Sequence, residues 1–205
     1  MFPLTRLVVD DLVFRPFGKD DTEPLVIGCN DPELQRWLPL PFPYTRELAS
    51  AWVTTEAERR RVEGEGLHLA IADAADQFLG NVSLKKTHWR HGHTEVGYWV
   101  MPAARGRGIA TAAAGTLSRW ALQQERIFRV ELTAAPGDIA SQRVAEKAGF
   151  SFEGIARSGG IIHSGRTDLK IYSLIRADLD RGVQRATNSP LPTDLAPTLD
   201  GDVAG

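Results

Sequence analysis

The chain has 205 residues, 42% of them hydrophobic and 24% charged, with 24 Lys and Arg against 26 Asp and Glu and a formal net charge of -2 at pH 7. That composition excludes fibrous and wholly disordered classes and fits one globular domain able to bury its own core. A near-zero charge leaves no electrostatic footprint for nucleic acid or an anionic membrane, so partners have to be read from sites. The single cysteine, Cys29, excludes an internal disulfide and a Cys-rich zinc centre and fits a reducing cytosol. No run of about 18 apolar residues occurs, and charges interrupt the opening MFPLTRLVVDD, so neither a membrane span nor a signal peptide is expected and a soluble, cytoplasmic protein is.

In chain order, a first strand is expected over Leu12 to Phe17, ended by Pro16, and a helix then starts at Asp20-Asp21-Thr22. The proline-rich loop Pro39 to Tyr44 leads to a second helix, capped by Thr45 and running from Arg46 to Val62. Strands follow over Leu67 to Ala72, Phe78 to Lys85 and Glu95 to Val100, the first two joined by a turn at Asp73-Ala74-Ala75-Asp76. After Gly106, small and apolar residues (Ile109, Ala112, Ala113, Leu117, Trp120, Ala121) recur at helical spacing. A fifth strand, Arg129 to Ala134, precedes a helix over Ile139 to Ala148 that Gly149 terminates, and two more strands fit Phe152 to Arg157 and Leu169 to Ile175. This order predicts a mixed α/β (α+β) sheet of about seven strands rather than an alternating doubly wound fold. One domain is expected over residues 1–182 and a flexible tail over 183–205, where Pro190, Pro192 and Pro197 stand among Thr, Asp and Gly.

The stretch Thr94 to Thr111 carries the chemistry: a strand, a loop in which Arg105 and Arg107 alternate with Gly106 and Gly108, and a helix. Glycines at such a junction let the backbone approach a ligand, and the first N–H groups of the helix, unsatisfied within it, converge there. A phosphate is the natural occupant, and the two arginines suit a pyrophosphate; the other reading is a helix that starts after a glycine-rich turn with solvated arginines. The triphosphate-binding string G-x-x-x-x-G-K-[ST] is absent, and G-x-G-x-x-G would need glycine where Thr111 stands.

Arg105-x-x-Gly108-x-Ala110 resembles the R/Q-x-x-G-x-G/A signature of the GNAT superfamily of N-acetyltransferases, placed as there between the fourth strand and the next helix. Ala140 to Phe150, followed by Glu153-Gly154, is similar to that family's N-x-x-S-x-x-v-x-e-k-x-G-F…E-G segment. Phe14-Arg15-Pro16-Phe17, Trp37-Leu38-Pro39 and Asp168-x-x-x-Tyr172-Ser173-Leu174 are similar to its RimJ/RimL branch, the ribosomal-protein N-terminal acetyltransferases. The resemblance covers about residues 6 to 180. It implies a GNAT fold with a central twisted, mostly antiparallel sheet, flanking helices and a cleft where the fourth and fifth strands splay. It also implies acetyl-CoA as acyl donor, with no metal, and direct transfer to an amine without a covalent enzyme intermediate. On that resemblance the pyrophosphate lies on Arg105, Gly106, Arg107, Gly108, Ile109, Ala110 and Thr111. The pantetheine arm pairs with backbone near Val100, Met101 and Pro102, and Asp138 and Arg143 complete the donor-binding set. The partners implied are an acyl-CoA and an amine acceptor, with no nucleic acid and no membrane. A homodimer is left open.

An amine attacks only when neutral, and the departing thiolate needs a proton. Strand alternation brings Glu95 toward the cleft as candidate base; its other reading is a solvent-facing strand residue. Ser141 is the family-supported donor to the sulfur, or else caps the first turn of its helix. His163, in the glycine-bounded loop Gly159 to Gly165, either overhangs the acceptor or is a surface-loop histidine. Trp37, Phe42, Tyr44 and Trp52 fill the core or line the acceptor pocket, and the His88 to His93 loop is read as a substrate loop without metal. Three positions depart from the family pattern: Asp138 in place of Asn, Ala145 in place of the acidic Tyr, and Gly160 in place of a Glu. They motivate the alternative of an acyl-CoA-binding module with weak or no turnover. A dinucleotide-binding protein is a third reading. The acceptor is open among a protein N-terminus, a lysine and a small-molecule amine.

Overall fold

The computed structural model describes residues 1–179; the expected tail over 183–205 lies outside the described residues. The strands β1 (Leu7–Val9), β2 (Leu12–Arg15), β3 (Leu67–Asp73), β4 (Phe78–His88), β5 (His93–Val100), β6 (Arg129–Ala134), β7 (Ser151–Ile162) and β8 (Gly165–Ile175) form one sheet in the order β1-β2-β3-β4-β5-β6-β8-β7. All neighbours run antiparallel except β5 and β6, which are parallel. The mixed, mostly antiparallel sheet expected from the sequence is therefore present. It has eight strands among the described residues instead of about seven, because Leu7–Val9 folds back on β2 through Asp10, which takes φ +51.

Helices α1 (Thr22–Cys29), α2 (Pro32–Trp37), α3 (Arg46–Ala51) and α4 (Ala57–Glu63) lie between β2 and β3, and α5 (Ile109–Gln123) and α6 (Ile139–Lys147) flank β6 in the chain. Alternation along the strands makes two cores. Leu69, Ile71, Leu79 and Val100 belong to the cluster built on α5, whereas Ala70, Phe78 and Trp99 belong to the one built on α1 to α3. On α5, Ala113, Ala114, Leu117 and Ala121 are fully buried, and three of these four are alanines, so the helix approaches the sheet closely. Thr45 caps the α3–α4 run as expected, accepting from the Leu48 N–H, and Gly64 ends it in the left-handed conformation; Trp52–Glu56 between them is a wider π turn.

Two local differences matter for the site. The Trp37-Leu38-Pro39 turn follows a helix that was not expected, α2, which Asp31 caps and Pro32 opens. The stretch from Gly159 to Gly165 is not a loop: β7 and β8 form a hairpin through it, with a bulge where the register passes from Ala156↔Leu169 to Gly160↔Thr167.

Candidate active site

β5 and β6 pair only at His93↔Arg129, Thr94↔Val130 and Glu95↔Glu131, although β5 runs on to Val100 and β6 to Ala134. The two strands part after Glu95, and a cavity of about 340 Å³ opens where they do, walled by Asn81, Ser83 and Lys85 of β4 and roofed by Gly159 to Ile162 of β7. A second cavity of about 200 Å³ leads on to Val100, Arg105 and Ala110. Trp37, Leu38, Tyr98, Trp99, Asp138 and Ser141 line both, so this group marks their junction.

Beyond β5 the Met101 N–H donates to the Leu79 carbonyl at 2.8 Å, and Pro102–Ala104 make one 3-10 turn. Gly106 and Gly108 both take φ +79, and a Cβ added to either would meet nothing within 4 Å. Glycine is required there by the left-handed backbone, and the space above the loop is open. Gly108 is also the N-cap of α5 and brings no capping side chain, so first-turn N–H groups near Ile109, Ala110 and Thr111 lack side-chain partners. Arg107 is exposed. Arg105 is exposed too but tied down: its Nε donates to the Val100 carbonyl at 3.2 Å and its Nη2 pairs with Asp31, the cap of α2.

At the start of α6 the cap is Asp138, whose Oδ1 accepts the Ser141 N–H at 3.0 Å. Ser141 therefore lies in the first turn without capping it, and its side chain lies beside the Tyr98 hydroxyl. The Ser141 carbonyl accepts from the Tyr98 hydroxyl at 3.4 Å. Burial raises the Tyr98 pKa and keeps it protonated. Sequence reading missed Tyr98. Its membership in Gly97-Tyr98-Trp99 looked like ordinary strand, and only the parting of β5 from β6 exposes it to the junction. Ala145 is fully buried and Arg143 exposed on the same helix.

On the far side, Glu95 is buried rather than solvent-facing. It accepts from Lys86 Nζ at 2.7 Å and Thr133 Oγ1 at 3.2 Å, and Lys85 Nζ lies 3.1 Å away. Burial pushes its carboxyl up, but the two ammonium groups outweigh this and hold it below its ordinary value. It is an ion whose lone pairs are largely spent. His163 is exposed at the tip of the β7/β8 hairpin and does not line the cavity; the neighbouring strand residues do. The four aromatics divide: Tyr44 is buried, Trp52 packs on His68, Trp37 lines both cavities and Phe42 is exposed.

The family pattern described as "Acetyltransferase (GNAT) domain" matches residues 11–151. Among relatives, YdaF of Bacillus subtilis, named provisionally as a ribosomal N-acetyltransferase, is 35% identical over 99 residues, 48% of this chain and 54% of that protein. The match thus spans about half of that relative's length. The probable N-acetyltransferase YjcK of the same organism is 31% identical over 140 residues, 63% of this chain and 77% of its own. Among solved structures, the ribosomal L7/L12 alpha-N-protein acetyltransferase RimL in complex with coenzyme A superposes with a TM-score of 0.74 at 20% identity, covering 82% of this chain and 96% of that one.

Proposed function

The chain belongs to the GNAT family of N-acetyltransferases, and from that premise we propose that it moves the acetyl group of acetyl-CoA directly to a primary amine in the opening between β5 and β6. One observation carries the reading: pairing of β5 with β6 stops at Glu95↔Glu131 while both strands continue, leaving a strand edge that leads into the Gly106–Gly108 turn and the N-terminus of α5. An extended ligand ending in phosphates fits that path. The pantetheine arm takes the edge of β5 from Val96 to Val100 and Met101, beside Pro102. The pyrophosphate takes the first-turn N–H groups at Ile109, Ala110 and Thr111, with Arg107 beside it. Arg105, engaged by Asp31 and the Val100 carbonyl, shapes the loop. Asp138 fixes the start of α6, and Arg143 lies on that helix for the outer phosphate end. The coenzyme A seen in the RimL structure supports this donor.

The thioester then sits at the junction by Tyr98 and Ser141, and the amine enters past Asn81, Ser83 and Glu95. The neutral amine attacks the carbonyl carbon, the C–N bond forms as the C–S bond breaks, and the proton lost by nitrogen ends on the thiol. The Ser141 hydroxyl donates to the departing sulfur, and the Tyr98 hydroxyl joins it by turning from the Ser141 carbonyl. Glu95, tied to two lysines, is a weak base, so water takes the proton from the amine and relays it to the sulfur. An α-amine of pKa near 8 is already partly neutral at physiological pH, and holding the two reactants together supplies much of the rate.

Thiol release from acetyl-CoA, followed with a panel of primary amines, tests the proposal. Amine-dependent release is expected. Measurable CoA binding with no amine-dependent release would reduce the chain to an acyl-CoA-binding module.

A further inference from the structure

We propose that the amine acceptor carries an anionic group, a carboxylate or a phosphate, which Lys85 and Lys86 recognise at the wall of the cavity where β5 and β6 part. This rests on the assignment of that cavity to the acceptor.

Successive side chains on a strand point to opposite faces. Lys85 and Lys86 do not. The register of β4 with β5 breaks between Lys85 and His88, and Lys86 takes φ +51, a left-handed conformation that is strained for a residue with a side chain. The bulge turns both ammonium groups onto one carboxylate, Lys85 at 3.1 Å and Lys86 at 2.7 Å from Glu95. On β5, Gly97 leaves room for the first of them: a Cβ there would come within 3.0 Å of Lys85 Cε and 3.3 Å of Ser83 Oγ. Bulges beside functional sites re-aim side chains, and strained residues gather there.

Two cations on one anion leave one positive charge in excess. It faces the solvent-filled side, because the Lys85 and Lys86 side chains are 36% and 68% exposed while that of Glu95 is 9% exposed behind them. The other charged groups nearby stand outside this cavity: Arg59 and Arg60 are shared among Glu56, Glu63 and Glu65, and Arg129 between Glu131 and Glu153. Across the cavity, Asp138 lies at the positive N-terminal end of α6, which partly offsets its charge. The excess attracts an acceptor with a negative group beside its amine, repels a polyamine, and disfavours the ammonium form of whatever amine enters.

The test is acetyl transfer by the full chain to matched acceptors: peptides that begin with Ser and carry Asp, Asn or Lys second, ethanolamine against phosphoethanolamine, and spermidine. We expect kcat/KM to favour the anionic member by about tenfold or more, the preference to shrink as salt is raised, and Lys85→Glu to reverse it. Lys86→Asn, which keeps a residue tolerant of the left-handed conformation, should weaken the preference without unfolding the hairpin. Preference for the Asp peptide alone assigns a carboxylate, and for phosphoethanolamine alone a phosphate. Clear transfer at equal kcat/KM across each pair would overturn the inference while leaving the reaction intact. Absence of transfer to every amine would overturn both.

Discussion

From Val96 to Thr111 the chain offers a ligand mostly backbone: an unpartnered strand edge, two glycines at φ +79 and the start of a helix. From Lys85 to Glu95 it offers charge, two ammonium groups drawn onto one buried carboxylate by a bulge. Backbone recognition suits a donor common to many relatives, since its geometry survives wide side-chain change and demands only glycine where the backbone turns left-handed. Charge recognition suits an acceptor that differs from one relative to the next, since one substitution alters sign or reach. On this view variation in the donor half should abolish binding outright, and variation in the acceptor half should redirect it.

The largest expected effect lies in the donor half. Gly108→Glu places a carboxylate at the mouth of the loop and forces a side chain into φ +79. CoA affinity should fall by about a hundredfold or more, roughly 2.7 kcal/mol, with circular dichroism unchanged. A titration giving wild-type affinity would show that the phosphates bind elsewhere.

Next come the two hydroxyls at the junction. Ser141→Ala and Tyr98→Phe should each lower kcat by about ten- to a hundredfold, with the dissociation constant of CoA nearly unchanged. If either variant instead weakens CoA binding and leaves kcat alone, its hydroxyl belongs to the backbone-like donor half and not to the chemistry.

How much of this was legible in the sequence follows the same division. Arg105-x-x-Gly108-x-Ala110 is local and contiguous, so loop, helix start and family resemblance could all be read from one stretch. Asp31-Pro32, a cap followed by a first-turn proline, was equally local and went unread, and with it α2 and the engagement of Arg105, whose partner is 74 residues away. Lys85-Lys86 looked like the end of a strand. Nothing in the string announces that pairing slips by Lys86, because the slip depends on how β5 returns after the turn. Tyr98 was hidden for a like reason, since its exposure depends on where a parallel pair comes apart.

A smaller effect should separate the halves by pH. On β3, the strand beside the one that carries Lys85, His68 sits under Trp52, ring centroids 4.9 Å apart, with its Nε2 out of contact with solvent and unpartnered among the described residues. Burial, with help from Arg60 and Lys85, brings its pKa down to about 3. In the unfolded chain it would titrate near 6.5. Between those values the unfolded state binds the extra proton, so stability falls as pH falls from about 6.5 toward 3. The Glu95 contribution, its carboxyl held low by the lysines, is lost only further down, as pH drops through its folded value. Denaturant unfolding should therefore show the wild type losing about 1 kcal/mol more than His68→Gln between pH 6 and pH 5. Parallel pH curves would remove His68 from the acid response.

The smallest effect tests whether Asp138 works for the helix or for a ligand. Its Oδ1 accepts the Ser141 N–H, so Asp138→Ala should cost about 1 kcal/mol through loss of the cap, whereas Asp138→Asn keeps an acceptor of nearly equal capping strength and should cost a few tenths at most. Both losses are read from thermal or urea unfolding. If the role is structural, the Asn variant should match wild type in stability and in CoA affinity. If its side chain instead meets pantetheine, Asn gains an N–H donor that ionised Asp lacks, and CoA affinity should rise while stability stays put. A rise would move Asp138 from the scaffold of α6 into the donor half, and would mean that backbone alone does not account for how that half holds its ligand.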